Sequence, residues 1–251
     1  MQIRVIPTVD DLERTAAQHA ASTLIQRLDS QRHVRLIAAT GSSQVGFLER
    51  LIATPGIDWS RVELFHLDEY LGLPAEHPGG FRRFILDRIV KPAGIETFHL
   101  IDGTAEPAAE IRRLTALLDC APVDLAFTGI GENGHLAFNE PPADFETDAS
   151  FIVVELDDVS RRQQVGERWF ARLEEVPSRA ITMTIRQILR TREILCLAHG
   201  TRKARAVAAC FSQSPTPLAP ASILATHPAT TVYLDRDAAA ELSGASLYRI
   251  D

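Results

Sequence analysis

The chain is poor in aromatic residues and in positive charge. Phe, Trp and Tyr make up 6% of its 251 residues, and 26 Lys and Arg face 33 Asp and Glu, a formal net charge of −7. An acidic chain with no basic stripe and no interleaved aromatics is a poor match for nucleic acid or an anionic membrane, although a local pocket for one small anion stays open. Cysteine is scarce too. Cys120, Cys196 and Cys210 are far apart, odd in number and without CxxC spacing. That excludes a disulfide framework and argues against a metal or redox role; Cys196, inside EILCLA, reads as a small hydrophobe. No apolar run approaches the ~18 residues needed to span a bilayer. Charges interrupt MQIRVIPTVDDLERTAAQ before a signal-peptide core can form, so the cytoplasm is the expected compartment. Long linkers, repeats and low-complexity tracts are also missing.

What is present is ordinary for a globular protein: 45% apolar and 24% charged residues, enough chain to bury a core without staples. One domain over residues 1–251 is expected. Short apolar runs alternate with amphipathic stretches. Residues 3–6, 34–40, 62–67, 123–129, 151–156, 180–184, 193–198 and 230–235 read as strands, and TFHLI (97–101) as an edge strand. Thr8 and Asp11 have the spacing of a capping box ahead of a helix carrying Leu12, Ala16, Ala20, Leu24 and Leu28. Helices are also predicted around VGFLERLI, over GFRRFILDRIV with a stop before Lys91-Pro92, and over EPAAEIRRLTALL. Three more are expected over DVSRRQQVGERWF, over TRKARAVAACF and, short and acidic, after the last strand. Apolar runs without alternation, separated by helices, predict an α/β fold with a mostly parallel sheet covered on both faces. Ligands of such sheets bind beyond the carboxyl ends of the strands, so the loops after the strands are the places to inspect.

Four of these loops carry chemistry. Thr40-Gly41-Ser42-Ser43-Gln44 opens a helix with small residues, hydroxyls and free backbone N–H groups, which suits a phosphate; a plain N-cap and tight turn would account for it equally. It is not a Walker loop, because GxxxxGK[ST] is absent. Asp68-Glu69-Tyr70 puts two acids at a strand end. Burying both is costly, so one is expected to face a cleft as a general base, with a helix cap or a salt bridge as the alternative. GIGENGHLAFNEP (129–141) is the densest of the four. Its glycines, Gly131 among them, let backbone approach a ligand. His135 suits proton transfer near neutrality, Glu140 is placed to orient it, and Asn133 can donate or accept a hydrogen bond but takes up no proton. A zinc site is disfavoured for want of a ligand set such as HExxH. Finally, Thr201-Arg202-Lys203 opens a helix, where Lys203 would add a point charge for phosphate. Arg161, Arg162 and Arg168 lie on one polar helix, from which one of them could close over an anion.

At these loops the sequence closely resembles the glucosamine-6-phosphate deaminase (isomerase) family, within the broader group that includes 6-phosphogluconolactonases. The resemblance is carried by AATGSS (38–43), FHLDEYLGLPAEHP (65–78), GIGENGHLAFNEP (129–141), AITMT (180–184), HGTRKA (199–204) and PASILATHP (220–228), in family order over nearly the whole chain. GHLAFNEP, in place of the GHTASLFP-like text of the lactonases, puts the chain on the deaminase side. The resemblance implies a three-layer α/β/α fold with a modified Rossmann-like sheet. It implies a cofactor-free conversion of glucosamine 6-phosphate and water to fructose 6-phosphate and ammonia. No metal is expected, and the partner is expected to be a small phosphosugar, bound by a monomer or small homo-oligomer.

Carried over by position, Asp68 is the base that moves the C2 proton toward C1. His135, assisted by Glu140, opens the pyranose ring. Thr40, Gly41, Ser42, Ser43, Gly131 and Lys203 hold the substrate and its 6-phosphate. Arg168 is the candidate phosphate clamp, with Arg161 as competitor. Two departures stand out. Many members have Asp where this chain has Asn133, which is expected to orient His135 by hydrogen bonding. The stretch after Glu140, PPADFETDASFIVVEL, lacks the basic residues that allosteric members use for N-acetylglucosamine 6-phosphate, so no activation by that effector is expected. PPADFETD itself is the candidate lid. A lactonase-like phosphosugar hydrolase and a non-catalytic sugar-phosphate sensor are the competing expectations. The joint presence of Asp68, His135 and Glu140 counts against the sensor.

Overall fold

The computed structural model describes residues 1–243 and the backbone of Arg249–Ile250; residues 244–248 and 251 of the expected domain lie outside the described residues. In chain order, β1 (Gln2–Ile6), α1 (Val9–Ser30), β2 (Val34–Ala38), α2 (Val45–Ala53), β3 (Val62–His66) and β4 (Asp68–Tyr70) come first. Then follow α3 (Phe81–Ile85), α4 (Lys91–Ala93), β5 (Thr97–His99), α5 (Pro107–Leu118), β6 (Leu125–Gly129), β7 (Phe151–Glu155) and α6 (Asp158–Gly166). The last elements are β8 (Arg179–Met183), α7 (Ile185–Leu189), β9 (Glu193–Ala198), α8 (Ala204–Phe211), β10 (Thr230–Asp235) and β11 (Arg249–Ile250).

Eight strands form one sheet in the order β11-β1-β10-β9-β6-β2-β3-β5, and every pairing in it is parallel. The apolar runs make this possible: all five residues of β2 are buried, as are all six of β10, so both faces need cover. Helices α1 and α2 cover one face, packing Leu12, Leu24, Phe47 and Leu51 against Leu36, Leu64 and Tyr233. Leu114 of α5, Ile188 of α7 and Val207 of α8 cover the other, against Ile37, Ala126 and Cys196. This is the three-layer α/β/α arrangement expected from the sequence. Thr8 caps α1 as its spacing predicts: its hydroxyl oxygen accepts from the Asp11 N–H at 3.1 Å and its hydroxyl donates to the Asp11 carboxylate at 2.7 Å. From β2 the chain steps outward through β3 to the edge strand β5. It then returns to the other side of β2 as β6 and steps the opposite way through β9 and β10. The reversal between β2 and β6 is the topological switch point, where strand ends part to leave a crevice.

Several local expectations are corrected. The runs at 151–156 and 180–184 do form strands, but outside the parallel sheet: β7 and β8 pair antiparallel, and β8 pairs antiparallel with β4. The 23-residue connection between β7 and β8, with α6 in it, brings the chain back antiparallel instead of as a parallel crossover. Asp68–Tyr70 is therefore strand rather than loop. The helix beginning at Phe81 does not stop before Lys91-Pro92. It passes through a π turn at Leu86–Val90 and ends at Gly94, whose φ of +69° suits glycine. The helix over DVSRRQQVGERWF ends at Gly166, and Arg168 beyond it has φ +65°. Residues 236–241 form turns rather than a helix.

Strand β4 is hemmed in from behind by Gly103. A Cβ there would lie 2.0 Å from the Tyr70 carbonyl oxygen, a backbone atom with no freedom to swing aside. Gly103→Ala is expected to displace β4 and to destabilise the protein by about 1–3 kcal/mol, the usual range for overpacking. Urea unfolding measures this; an unchanged midpoint would show that β4 is not held there.

Candidate active site

Two strand ends flank the switch point with the same construction. After β2, Gly41 takes φ +106° and Ser42–Gln44 form a 3₁₀ turn leading into α2. After β9, Gly200 takes φ +86° and Thr201–Lys203 form a 3₁₀ turn leading into α8. A residue with a Cβ is strained at such φ values, which explains glycine at both turns. The first turn presents Thr40, Gly41, Ser42 and Ser43; the second delivers Lys203, 8% exposed. Both line one crevice of about 560 Å³, open solvent included. Leu67, Phe81 and Phe138 form an apolar wall, and Asp68, Gly131 and His135 complete the lining with residues of α6.

The paired acids of β4 separate in role. Glu69, 1% exposed, accepts hydrogen bonds from the backbone N–H groups of Tyr70, Phe81 and Arg82. Burial raises its pKa above the ordinary glutamate value, and these bonds at the start of α3, with the charge of Arg82, offset only part of that. Asp68, 6% exposed, is the one that faces the crevice. Burial raises its pKa well above the ordinary aspartate value, and the charges of Glu69 and Glu140 raise it further. A carboxylate held in this way is a stronger base than one in water.

His135 is set by a network beneath it. Its Nδ1 lies 2.9 Å from Ser160 Oγ and 3.5 Å from Glu140 Oε2. A carboxylate and a hydroxyl on that side favour the Nδ1–H tautomer, which leaves Nε2 to exchange a proton with a ligand. Burial works to raise the Glu140 pKa, but hydrogen bonds and charge from His135, with hydrogen bonds from Ser160 and Asn133, more than reverse it, so the group is lowered and stays ionised. Asn133 ties the loop together: its Nδ2 donates to Glu140 at 2.8 Å and to Asp157 at 2.9 Å, and its Oδ1 accepts from the His135 N–H at 3.1 Å. The Asp157 carboxylate also accepts from the Ser160 N–H at the start of α6. The role expected for Asn133, hydrogen-bonding orienter, thus runs through Glu140 and the backbone rather than through the imidazole.

The arginines lie elsewhere. Arg161 donates to the carbonyl oxygens of Leu173 and Val176 and pairs with Asp158. Arg168 is exposed, and neither arginine lines the crevice. From the same helix and its end, Gln163, Gln164 and Glu167 enter the lining instead. Burial lowers the Lys203 pKa, while Glu167 and Glu132 pull it back up. Residues 141–148, the candidate lid, contribute nothing to the lining; Ala143 is buried and bonded to Pro217. Sequence reasoning missed Ser160, Gln163 and Glu167, although their spacing places them on one polar face of α6.

The class defined by this topology is an α/β protein with its crevice at the switch point of a parallel sheet. A family model described as glucosamine-6-phosphate isomerases/6-phosphogluconolactonase matches residues 7–233, and the chain belongs to that family. It is 42% identical over 241 residues to a glucosamine-6-phosphate deaminase of an Exiguobacterium species, covering 95% of this chain and 91% of that protein. A glucosamine-6-phosphate deaminase of Shouchella clausii is 38% identical over 230 residues, 89% of this chain and 92% of that one. Among solved structures, a monomeric glucosamine-6-phosphate deaminase superposes with a TM-score of 0.87 at 31% identity, over 96% of this chain and all of that one. A 6-phosphogluconolactonase of Shewanella baltica shares the fold, with a TM-score of 0.77 at 19% identity, over 94% and 98% of the two chains.

Gly131 lies directly against the imidazole. A Cβ there would fall 2.3 Å from His135 Cε1 and Nε2. Gly131→Ala is expected to push the ring off its seat and to break the contact with Ser160. A crystal structure of the variant checks this, and an unmoved imidazole would contradict it.

Proposed function

We propose that the chain converts glucosamine 6-phosphate and water to fructose 6-phosphate and ammonia by acid–base catalysis, without cofactor or metal. The observation that carries this reading is the meeting of Asp68, His135, Lys203 and the Thr40–Ser43 turn in one crevice. The family membership and the deaminase relatives support it. The 6-phosphate lies against Gly41, Ser42 and Ser43 with Lys203 as the cation, and Thr40 and Gly131 leave room for the sugar. With that end fixed, the reacting carbons are aligned, and alignment supplies much of the rate. His135, oriented by Glu140 and Ser160, exchanges a proton at the ring oxygen or the anomeric hydroxyl, and the pyranose opens. Asp68 takes the C2 proton and returns it to C1 while a second proton passes from the amino nitrogen to O1, which leaves an imine at C2 and a hydroxyl at C1. Water adds to that carbon, and ammonia departs. Phe81, Phe138 and Leu67 keep bulk water from the face on which the proton moves. Arg168 stands outside the lining, so the grip on the anion in this conformation rests on Lys203 and the turn. The chain acts on this small phosphosugar in the cytoplasm as a monomer or small homo-oligomer, residues 1–251 forming one domain. The monomeric deaminase that superposes on it supports this state. Among the described residues no helix is long and apolar enough to cross a membrane.

Asp68→Asn removes the proton acceptor and keeps the shape. Ammonia release from glucosamine 6-phosphate is expected to fall by a factor on the order of 10² or more, the usual contribution of a general base. Near-normal turnover would remove Asp68 from the role.

The raised pKa of Asp68 fixes two signs. As a base it must be ionised, so kcat/KM falls as pH drops through the raised value, an acid limb above the ordinary ~3.9 of aspartate. For stability, the folded state holds this proton over a pH window in which the unfolded chain has lost it. The contribution is therefore fully present below the unfolded value and is lost as pH rises through the folded one. Asp68→Asn is accordingly expected to raise Tm at alkaline pH and to leave it unchanged at pH 3. Equal effects at both pH values would contradict the burial account.

A further inference from the structure

Glu167 has no part in the reaction just described, yet its carboxylate lies in the anion cradle. Oε2 accepts from the Ser42 N–H at 3.1 Å and from the Trp169 indole N–H at 3.1 Å, and Oε1 accepts from Gln163 Nε2 at 2.8 Å. Oε2 is 4.0 Å from the position a Cβ of Gly41 would take. Burial works to raise the Glu167 pKa, but the charge of Lys203 and these hydrogen bonds more than reverse it, so the group is held ionised. The turn after β2, the lysine after β9 and an acid from beyond α6 thus line the same crevice, with the acid in contact with the turn.

We propose that Glu167 is an affinity-determining residue of the crevice, an internal carboxylate that occupies the anion cradle until a phosphate-bearing ligand displaces it. The inference rests on the phosphate reading of the cradle. The Ser42 N–H that a phosphate in the turn would need is already taken by Glu167 Oε2. A phosphate monoester carries a charge of about −1.5 to −2 at neutral pH and three acceptor oxygens, against one charge and two oxygens on Glu167. Exchange therefore favours a phosphorylated sugar and disfavours a neutral one. The displaced segment has a place to bend. Gly166 ends α6, and Arg168 takes φ +65°, a conformation that a residue with a Cβ rarely adopts. The exchange lowers apparent affinity by the fraction of time the cradle stands free, so removing the carboxylate tightens phosphate binding.

The test is calorimetric titration of inorganic phosphate into the unsubstituted protein, Glu167→Gln, Glu167→Ala and Lys203→Met. Both Glu167 variants are expected to bind phosphate about tenfold more tightly, and Lys203→Met more weakly. Equal or weaker binding by the Glu167 variants, with Lys203→Met still impaired, would make Glu167 a structural clasp and overturn the proposal while leaving the cradle intact. No phosphate binding by any of the four proteins would overturn the cradle reading and this proposal with it. A measurement on the unsubstituted chain covers the case in which a variant does not fold. The chain has two tryptophans, and saturating phosphate is expected to move the Trp169 indole N–H resonance, assigned with Trp59→Phe, while that of Trp59 stays. An unmoved Trp169 resonance under phosphate that binds would equally overturn it.

Discussion

Keeping one carboxyl group buried and reactive is the constraint around which the crevice is arranged. Asp68 sits beside a second acid, and two neighbouring carboxylates in a dry site repel each other. The fold relieves this by giving the second one to a helix: the N–H groups of Tyr70, Phe81 and Arg82 take the charge of Glu69. That single assignment determines where the helix from Phe81 begins and where β4 must lie. It also explains why a three-residue strand is held so firmly, between the antiparallel ladder to β8 and the close approach of Gly103. Asp68 then faces the crevice without a cation beside it and gains basicity from burial. The cost is stability above the range where the carboxyl is protonated, a trade that functional sites commonly make.

Around the imidazole and at the Lys203 end, charged groups of opposite sign stand near one another. Hydrogen bonds from its neighbours hold Glu140 ionised, while Glu167 and Glu132 only partly offset the burial that lowers the Lys203 pKa. Helix α6 serves both ends. Its first turn supplies Ser160 to His135, and the chain at its far end supplies Glu167 to the Ser42 turn. This one short helix and the residue after it thus touch both His135 and the Ser42 turn.

Much of this was legible in the sequence, for physical reasons. Apolar runs long enough for a strand but without alternation could only be buried on both faces, and that indicated a parallel sheet. The rule that ligands sit beyond the carboxyl ends of such strands then singled out Thr40–Ser43, Asp68, His135 and Lys203, which the fold brings to one crevice. What the sequence hid was pairing direction and side-chain aim. Phe151–Glu155 and Arg179–Met183 have strand composition, but composition says nothing about which edge a strand joins. Asp68–Tyr70 is too short to show a period at all. Pro92 read as a helix stop because a π turn leaves no compositional trace. On α6 the polar residues looked like a solvated face, and a polar stripe aimed at a crevice has the same spacing as one aimed at water. Arg168 drew attention for its charge, while its neighbour Glu167 is the residue that reaches the cradle.

The most direct test of the central claim is a crystal structure of the chain with fructose 6-phosphate bound. The account predicts phosphate oxygens at the Ser42 N–H and at Lys203, C1 and C2 of the sugar within reach of the Asp68 carboxyl, and His135 Nε2 beside the oxygen that closes the ring. A sugar seated with its phosphate away from the Ser42 turn, or with C1 and C2 turned from Asp68, would contradict it.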